Sequence, residues 1–592
     1  MTEPGMEPAV DPSAVGTPEP VAPPTQAGAV AGMSRGRWLI AGGVTAVAVV
    51  IAVGAAILLG GRPVPEALTY VPADSAVVAE LRMDLPGDQL QKVGNLLAHF
   101  PGFKDQTTLS QKLDESFERI ARGASNGSVD YQTQIKPWLA GPLFAASGAA
   151  PASGDRESFL LVATTDGTPT CDAALKAIGN GRGPSPAPLA SPTAGSDGVV
   201  TTLDGGFACA RDGRFGLLGS TAMVRAGLAA HAQHHGMDTN TAYRTARDTL
   251  GGDRLATIYL SKAAMSAGPM ASDLPLASGE LAAALGRVPD WAIGGVSAED
   301  DALVADLVTA SIPAATAPPG SPLPTLPPAH KSRIAPLLPG DTVALVDAHG
   351  IGTGLQIGLA QLRADPRLGE GLGQADTTLQ ALGGVGGLVG WIDDAGIAVV
   401  PDGSSLTGGV ILLAPDETTA SSKAQQLKGL LGIFAIGGKA QIRQETIAGV
   451  DVTVLDIVDI GGLLGGVPGA PSLPVPLPPG QPVSVAFASK ADALLVGPEA
   501  FVKRVLETQA GSTLAESAAY MHALKRAPAE NLSQVYVGTA PLLALGEELL
   551  PDAEVVAFDS DIKPYVEPFD AILVTTTMDR GGVHVRLVAT VK

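Results

Sequence analysis

FACARDGRFGLLGSTAMV, residues Phe207–Val224, and VAFASKADALLVGPEAFV, residues Val485–Val502, are one pattern written twice. An ungapped superposition lays Gly219 on Gly497 and Val224 on Val502. Each reads as a strand, a tight turn, a second strand and the start of a helix. In the first, Asp212-Gly213 is a hairpin signal, because glycine supplies the positive φ that a two-residue turn needs. Outward from this pair, further matches keep the same order in both halves. PADSAVV (Pro72–Val78) recurs as PGDTVAL (Pro339–Leu345), and WLAGPLFAA (Trp138–Ala146) has a counterpart in WIDDAGIAV (Trp391–Val399). LLVATTDGTPTCDAALKAI from Leu160 resembles ILLAPDETTASSKAQQLKG from Ile411, and VTTLD from Val200 echoes VTVLD from Val452. LATIY (Leu255–Tyr259) matches LSQVY (Leu532–Tyr536), and AIGGVSAEDDALVADLVTA from Ala292 matches AILVTTTMDRGGVHVRLVA from Ala571. Collinear matches of this kind predict two tandem units, 67–312 and 334–592. Between them, residues 313–333 (PAATAPPGSPLPTLPPAHKSR) predict an extended, semi-rigid linker, because proline fixes φ and favours polyproline II.

Within a unit, apolar runs such as SAVVAEL, SFLLVATT, RLATIYL and ALVADLVTA predict strands. Helical spacing appears in Leu109–Ala121, Asp172–Ile178, Thr221–His231 and Ala242–Leu250. Asp204-Gly205-Gly206 marks a second hairpin, between VVTTL and FACA. Successive hairpins separated by helices predict an α+β fold, in which a mostly antiparallel sheet carries helices on one face.

The 592 residues exceed what one core supports, and 45% apolar against 16% charged is too apolar for general disorder. A formal charge of −21 argues against nucleic-acid binding, which needs a basic footprint. Trp38–Leu59 (WLIAGGVTAVAVVIAVGAAILL) contains no charge. At about 1.5 Å per residue it is long enough to cross a hydrocarbon core of about 30 Å. Arg35 and Arg37 precede it and Arg62 follows, so the positive-inside rule predicts a cytoplasmic N-terminus and an extracytoplasmic bulk. A cleaved signal peptide is the rival, but its apolar stretch would be shorter and begin earlier. Residues 1–37 are rich in Pro, Ala and Gly without periodicity, which predicts a disordered tail.

At Tyr70-Val71-Pro72-Ala73-Asp74, the Pro86-Gly87-Asp88-Gln89 turn and Lys136-Pro137-Trp138-Leu139, the chain resembles the bacterial membrane-anchored domain-of-unknown-function family numbered 3352. The likeness covers most of the region after the apolar segment and is clearest in the first half. It implies an N-terminal span and an exported, repeat-like region, and it brings no established activity. The second half lacks the Pro-Gly-Asp-Gln turn and has GGVGGLVGW before Trp391.

No catalytic constellation stands out: there is no Gly-x-Ser-x-Gly elbow and no His-Glu-x-x-His helix. Two cysteines, Cys171 and Cys209, fall on Ser421 and Phe487 of the other half, so they are present together and absent together. Outside the cytoplasm a disulfide explains that better than two unrelated buried thiols. His231, His234 and His235 are weak candidates for a metal, since helical spacing brings such residues to one face. A solvated helix end, where histidine complements the dipole, is the preferred reading, with no metal and no cofactor expected. Gly383–Gly390 lacks the Lys-Ser/Thr of a phosphate loop and reads as a flexible turn leading into a strand. Asp393-Asp394 and Asp402-Gly403 lack the spacing of a calcium loop. Trp138 and Trp391, at matching places, read as shared core anchors before ligand platforms.

The hairpin at Asp204–Gly206 is replaced in the second half by the long apolar stretch Ile457–Gln481. Its Leu463, Leu464, Val467, Leu473 and Leu477 either contact a partner or fold back onto their own domain, and it is the candidate interaction loop. The leading functional expectation is a membrane-tethered envelope protein that binds an envelope partner or serves as a scaffold. The bilayer is engaged through Trp38–Leu59. An exported hydrolase-like enzyme with a site between the two units is the alternative. A sensor or transport accessory is a third, for which the tail looks too short.

Overall fold

The computed structural model describes residues 65–592 with interruptions, the longer of which are 120–129, 149–157, 172–192, 268–287, 312–327, 353–372 and 458–482. The tail 1–37, the apolar segment Trp38–Leu59, most of the linker and the candidate interaction loop with Leu463, Leu464, Val467, Leu473 and Leu477 therefore lie outside the described residues. So do the helices expected over Leu109–Ala121 and Asp172–Ile178, apart from scattered positions. Among the described residues, no helix is long and apolar enough to cross a membrane.

The first half contributes strands β1 (Val77–Leu81), β2 (Leu143–Ser147), β3 (Phe159–Thr164), β4 (Thr193–Gly195) and β5 (Gly198–Thr202), then β6 (Phe207–Asp212), β7 (Phe215–Ser220), β8 (Ala256–Ser261), β9 (Trp291–Glu299) and β10 (Ala302–Thr309). The second half contributes β11 (Ala344–Ala348), β12 (Asp394–Asp402), β13 (Ser405–Leu413), β14 (Ala440–Ile447) and β15 (Val450–Ile457), then β16 (Val483–Lys490), β17 (Ala493–Gly497), β18 (Ser533–Gly538), β19 (Phe569–Asp579) and β20 (Gly582–Val591). All pair antiparallel in one continuous sheet. In the first half the order runs β4-β5-β6-β7-β3-β2-β1-β8-β9-β10. Strand β10 then pairs with β20, and the order continues β19-β18-β11-β12-β13-β17-β16-β15-β14. Each strand of the second half takes the mirror place of its counterpart in the first. The protein is α+β, a mixture of helices and antiparallel sheet.

Local sequence explains the elements. Strand β1 alternates half-buried and buried residues, so Val78 enters the core while Val77 and Ala79 face the other way. Gly213 adopts φ +56° in the two-residue turn that closes β6 on β7. Helix α1 is Gln89–Ala98, α2 is Thr221–Ala232 and α3 is Thr241–Leu250. The Ser220 hydroxyl caps α2 by accepting from Met223 N, and Asn240 caps α3 by accepting from Tyr243 N at 2.9 Å. In the second half α4 is Glu499–Glu507 and α5 is Ala518–Leu524.

Two main cores lie beneath α2–α5 on one face of the sheet. One gathers Phe144, Leu160, Val162, Leu217, Val224 and Ile293, and the other Leu345, Ile411, Leu495, Phe501, Tyr520 and Leu573. Gly409 is required under Phe501, because a Cβ there would fall 2.2 Å from its ring. A third core forms where α1 crosses the junction: Val93, Leu96, Leu97 and Phe100 pack with Leu303, Ala589 and Val591.

The register refines two sequence matches by one residue. Ile293 and Leu573 occupy corresponding places and are fully buried, whereas the sequence match had paired Ile293 with half-buried Ile572. Ser147 likewise corresponds to Val399. A one-residue slip exchanges the two faces of a strand, so burial decides between the alternatives. The Gly383–Gly390 stretch differs from the expected flexible turn: Gly384–Val389 is a short helix. Asp376 Oδ1 accepts from Val385 N at 2.9 Å and so caps a sequence that is otherwise poor in helix formers.

Candidate functional site

The face of the sheet opposite the helical cores is aliphatic and largely open. Its residues are fixed by alternation, since every second side chain on each strand points to it. In the second half Ile397 on β12, Val346 on β11 and Val535 on β18 stand side by side in register and are 57%, 47% and 37% exposed. The row continues through Val574 on β19 to Leu587 on β20. In the first half the same row reads Ala145, Ala79, Ile258 and Gly294, with Ile258 40% exposed. Smaller residues there leave a depression of about 480 Å³, floored by Ala79, Ala145, Ile258, Gly294, Val296 and Ala305. Water meets aliphatic side chains here where an exposed antiparallel sheet ordinarily carries polar ones.

On the helical face each half buries a carboxylate and a cation two residues apart on the equivalent strand. In the first half these are Glu80 and Arg82, 3.6 Å apart, with Arg247 at 3.5 Å and Tyr243 overhead. In the second half Asp347 Oδ2 lies 3.2 Å from His349 Nε2, accepts from Ser332 Oγ at 2.5 Å and from Gln534 Nε2 at 3.3 Å, and has Tyr520 bonded to Gln534. His349 Nδ1 lies 2.8 Å from the Asn531 carbonyl, and the His330 ring stacks on His349 with centroids 4.3 Å apart. Burial opposes a charge on His349, but the Asp347 hydrogen bond and charge outweigh it and hold the imidazole above its usual range. Arg333 meanwhile bridges Asp393, Asp394 and Asp492, so it and Ser332 tie the end of the linker to the second half.

At the junction Asp306 on β10 sits opposite Arg586 on β20. Its buried carboxylate receives Arg254 at 2.7 Å from its own half, and Arg586 at 2.7 Å and His584 at 2.8 Å from the other. Burial would raise its pKa, but the bonds from His584, Arg586 and Arg254 prevail and hold the carboxyl well below the usual range. Nearby, Asp301 is bonded by His522 and Arg526, and Glu299 by Arg526. The junction between the halves is thus built of paired strands and ion pairs. These groups escaped the sequence reading, yet one signal was present: a carboxylate two residues before a cation at matching places, Glu80-Leu81-Arg82 and Asp347-Ala348-His349.

The sequence candidates are scattered. Cys171 and Cys209 are bonded, with Cα atoms 5.5 Å apart. His231 Nδ1 lies 2.7 Å from Thr69 Oγ1 and its ring stacks on Tyr70 at 4.0 Å, while His234 and His235 point to solvent. Among the described residues, no group of three or more His, Cys, Asp or Glu could hold a metal ion. Trp138 is half-buried and covers Gly216, where a Cβ would fall 2.4 Å from its ring, and Trp391 is half-buried before β12.

A family model described as "Protein of unknown function (DUF3352)" matches residues 229–587, more than half of the chain. The chain belongs to this family. The DUF3352 match spans the end of the first half, the junction and nearly all of the second half. No curated protein matches the chain. Among solved structures, crystal forms IV, III and I of TP0453 are similar at 9%, 7% and 8% identity, with TM-scores of 0.21, 0.20 and 0.21. They cover 41% of this chain and 79%, 78% and 77% of theirs. TM-scores so low say nothing about fold or function.

Proposed function

We propose that this DUF3352 protein is a membrane-tethered binding protein of the extracytoplasmic envelope, whose binding surface is the open aliphatic face of its sheet. The observation that carries this reading is the row Ile397–Val346–Val535, three large apolar side chains in register and in water. Exposed apolar surface of this extent is costly for a free protein and marks a contact site. Trp38–Leu59 supplies the tether. The Cys171–Cys209 bond suits an oxidising compartment, which supports the outward orientation. Mirrored strand order and collinear sequence matches favour two copies of one unit, 67–312 and 334–592, joined by the linker 313–333. In this reading, antiparallel pairing of β10 with β20 fuses the two open faces into one surface.

The test places an environment-sensitive fluorophore on an Ile397→Cys variant of the full chain. Emission in native membranes is expected to shift to the blue relative to the purified, delipidated protein. Identical, water-like emission in both would refute the binding face. Protease added to intact cells should cut the bulk of the chain; its survival there would refute the orientation.

A further inference from the structure

We infer that the depression on the first half's open face seats the hydrocarbon tail of a membrane lipid; this rests on the binding-face reading above. Among the described residues, the floor and walls offer an occupant little polar surface. Glu80, Thr257 and Asp306 lie on the lining strands, but their side chains turn to the helical face, where Glu80 meets Thr257 and Arg247 and Asp306 meets Arg254. The strands' own N–H and C=O groups are used in the ladders to their neighbours. An extended peptide laid across this floor would leave its backbone groups unpaired, at a cost that a hydrocarbon chain does not incur. The depression's 480 Å³ falls within the range of small-molecule pockets.

Its shape comes from substitutions at matching places. Where the second half has Ile397, Val346 and Val574 in register, the first has Ala145, Ala79 and Gly294. Three of the four side chains along this line are shortened, while Ile258 stands where the second half has Val535, so the floor drops on either side of Ile258. Only five residues, 60–64, separate the uncharged stretch ending at Leu59 from Pro65, so the proposed tether would hold the protein within about 20 Å of a bilayer, although the chain enters on the helical face through Ala67, Leu68 and Tyr70.

The second half supplies the test variant. Gly294→Val, Ala79→Val and Ala145→Ile together give the trough the residues that its counterpart already carries. A Cβ on Gly294 meets nothing closer than 3.4 Å, so the change fills space on the open face without displacing backbone. The full chain is reconstituted in phosphatidylcholine–phosphatidylglycerol vesicles containing a phospholipid with a photoreactive diazirine on its acyl chain, and adducts are mapped by mass spectrometry. Adducts in Trp38–Leu59 report equal reconstitution. Wild type is expected to carry further adducts on the β1, β8 and β9 peptides, and the triple variant to lose about tenfold of them, equivalent to about 1.4 kcal/mol of binding. Should the triple variant fail to fold, Gly294→Val alone is expected to lower the same adducts.

Adducts that are unchanged by filling, or spread equally over β11, β12 and β18, would overturn the trough as the seat while leaving the apolar binding face standing. Adducts confined to Trp38–Leu59, with a blue-shifted label at position 397, would do the same and point to a protein partner. Water-like emission at position 397 would remove the underlying reading itself.

Discussion

Replacing Asp306 by alanine should cost about 3–5 kcal/mol, the range for breaking a buried ion pair from one side. Its carboxylate is 1% exposed and receives Arg254, Arg586 and His584 within 2.8 Å. At such separations and an effective dielectric of about 20, each full cation contributes roughly 6 kcal/mol of attraction before desolvation is subtracted. Without Asp306 the two guanidiniums face each other across the junction with no counter-charge, so the loss exceeds that of one hydrogen bond. Arg586→Met should cost less, about 1.5–3 kcal/mol, because Asp306 keeps Arg254. The assay is urea unfolding of the full chain in micelles, followed by the fluorescence of single-tryptophan variants in which the other three of the four tryptophans are replaced by phenylalanine. Trp291, at the start of β9, reports on the first half and Trp391, just before β12, on the second. Wild type should unfold with both probes coincident, and Asp306→Ala should lower the midpoint and separate them. The pH arm follows from the depressed pKa. Asp306's contribution is fully present above the unfolded-state value near 3.9 and is lost as pH falls through the lower folded value. An Asp306→Ala cost below about 1 kcal/mol, typical of an exposed ion pair, would refute the view that this carboxylate locks the halves together.

His349 gives the opposite pH signature: its folded pKa is raised, so its contribution is complete below about 6.5 and fades as pH rises through the folded value. Stability of wild type should therefore decline relative to His349→Gln on going from pH 6 to pH 9, and parallel profiles would show that the imidazole is not charged against Asp347. Cys171→Ser with Cys209→Ser should lower stability by about 3–4 kcal/mol, the loop-closure value for a separation of 38 residues, measured as a urea midpoint shift in the first half; no shift would mean that the bond constrains nothing in the unfolded chain.

Much of the architecture was legible because it is written in local periodicity. The pair FACARDGRFGLLG and VAFASKADALLVG folds as β6–β7 and β16–β17 in the same register, Ala208 opposite Gly219 and Ala486 opposite Gly497. Ungapped similarity could not place Ile293 against Leu573, because AIGGV and AILVT agree better one residue out of step and only burial separates the faces. Junction chemistry was less accessible still. Asp306 and Arg586 lie 280 positions apart, and nothing in ALVADLV or HVRLV says which edge strand the other will meet. The weak histidine candidates illustrate the converse: close in sequence, His231 turns to Thr69 and Tyr70 while His234 and His235 face water.

The open face was in the sequence all along, but in a form that reads as its opposite. SAVVAEL, LFAAS and VALVDA are apolar at alternate positions that a half-solvated antiparallel sheet would give to Ser, Thr, Lys or Glu. Such runs predict a strand covered on both sides. Among the described residues, helices cover one side, and α1 packs at one end of the other with Leu81, Val296 and Leu587. If nothing else met that face in the cell, polar substitutions at Ile397, Val346 and Val535 would improve solubility at no cost to the cores, whose side chains alternate to the opposite face. Aliphatic side chains retained in water at three adjacent, in-register positions are better explained by a surface that spends its time covered. Under the tether proposed for Trp38–Leu59, the bilayer's own hydrocarbon would be within reach as that cover.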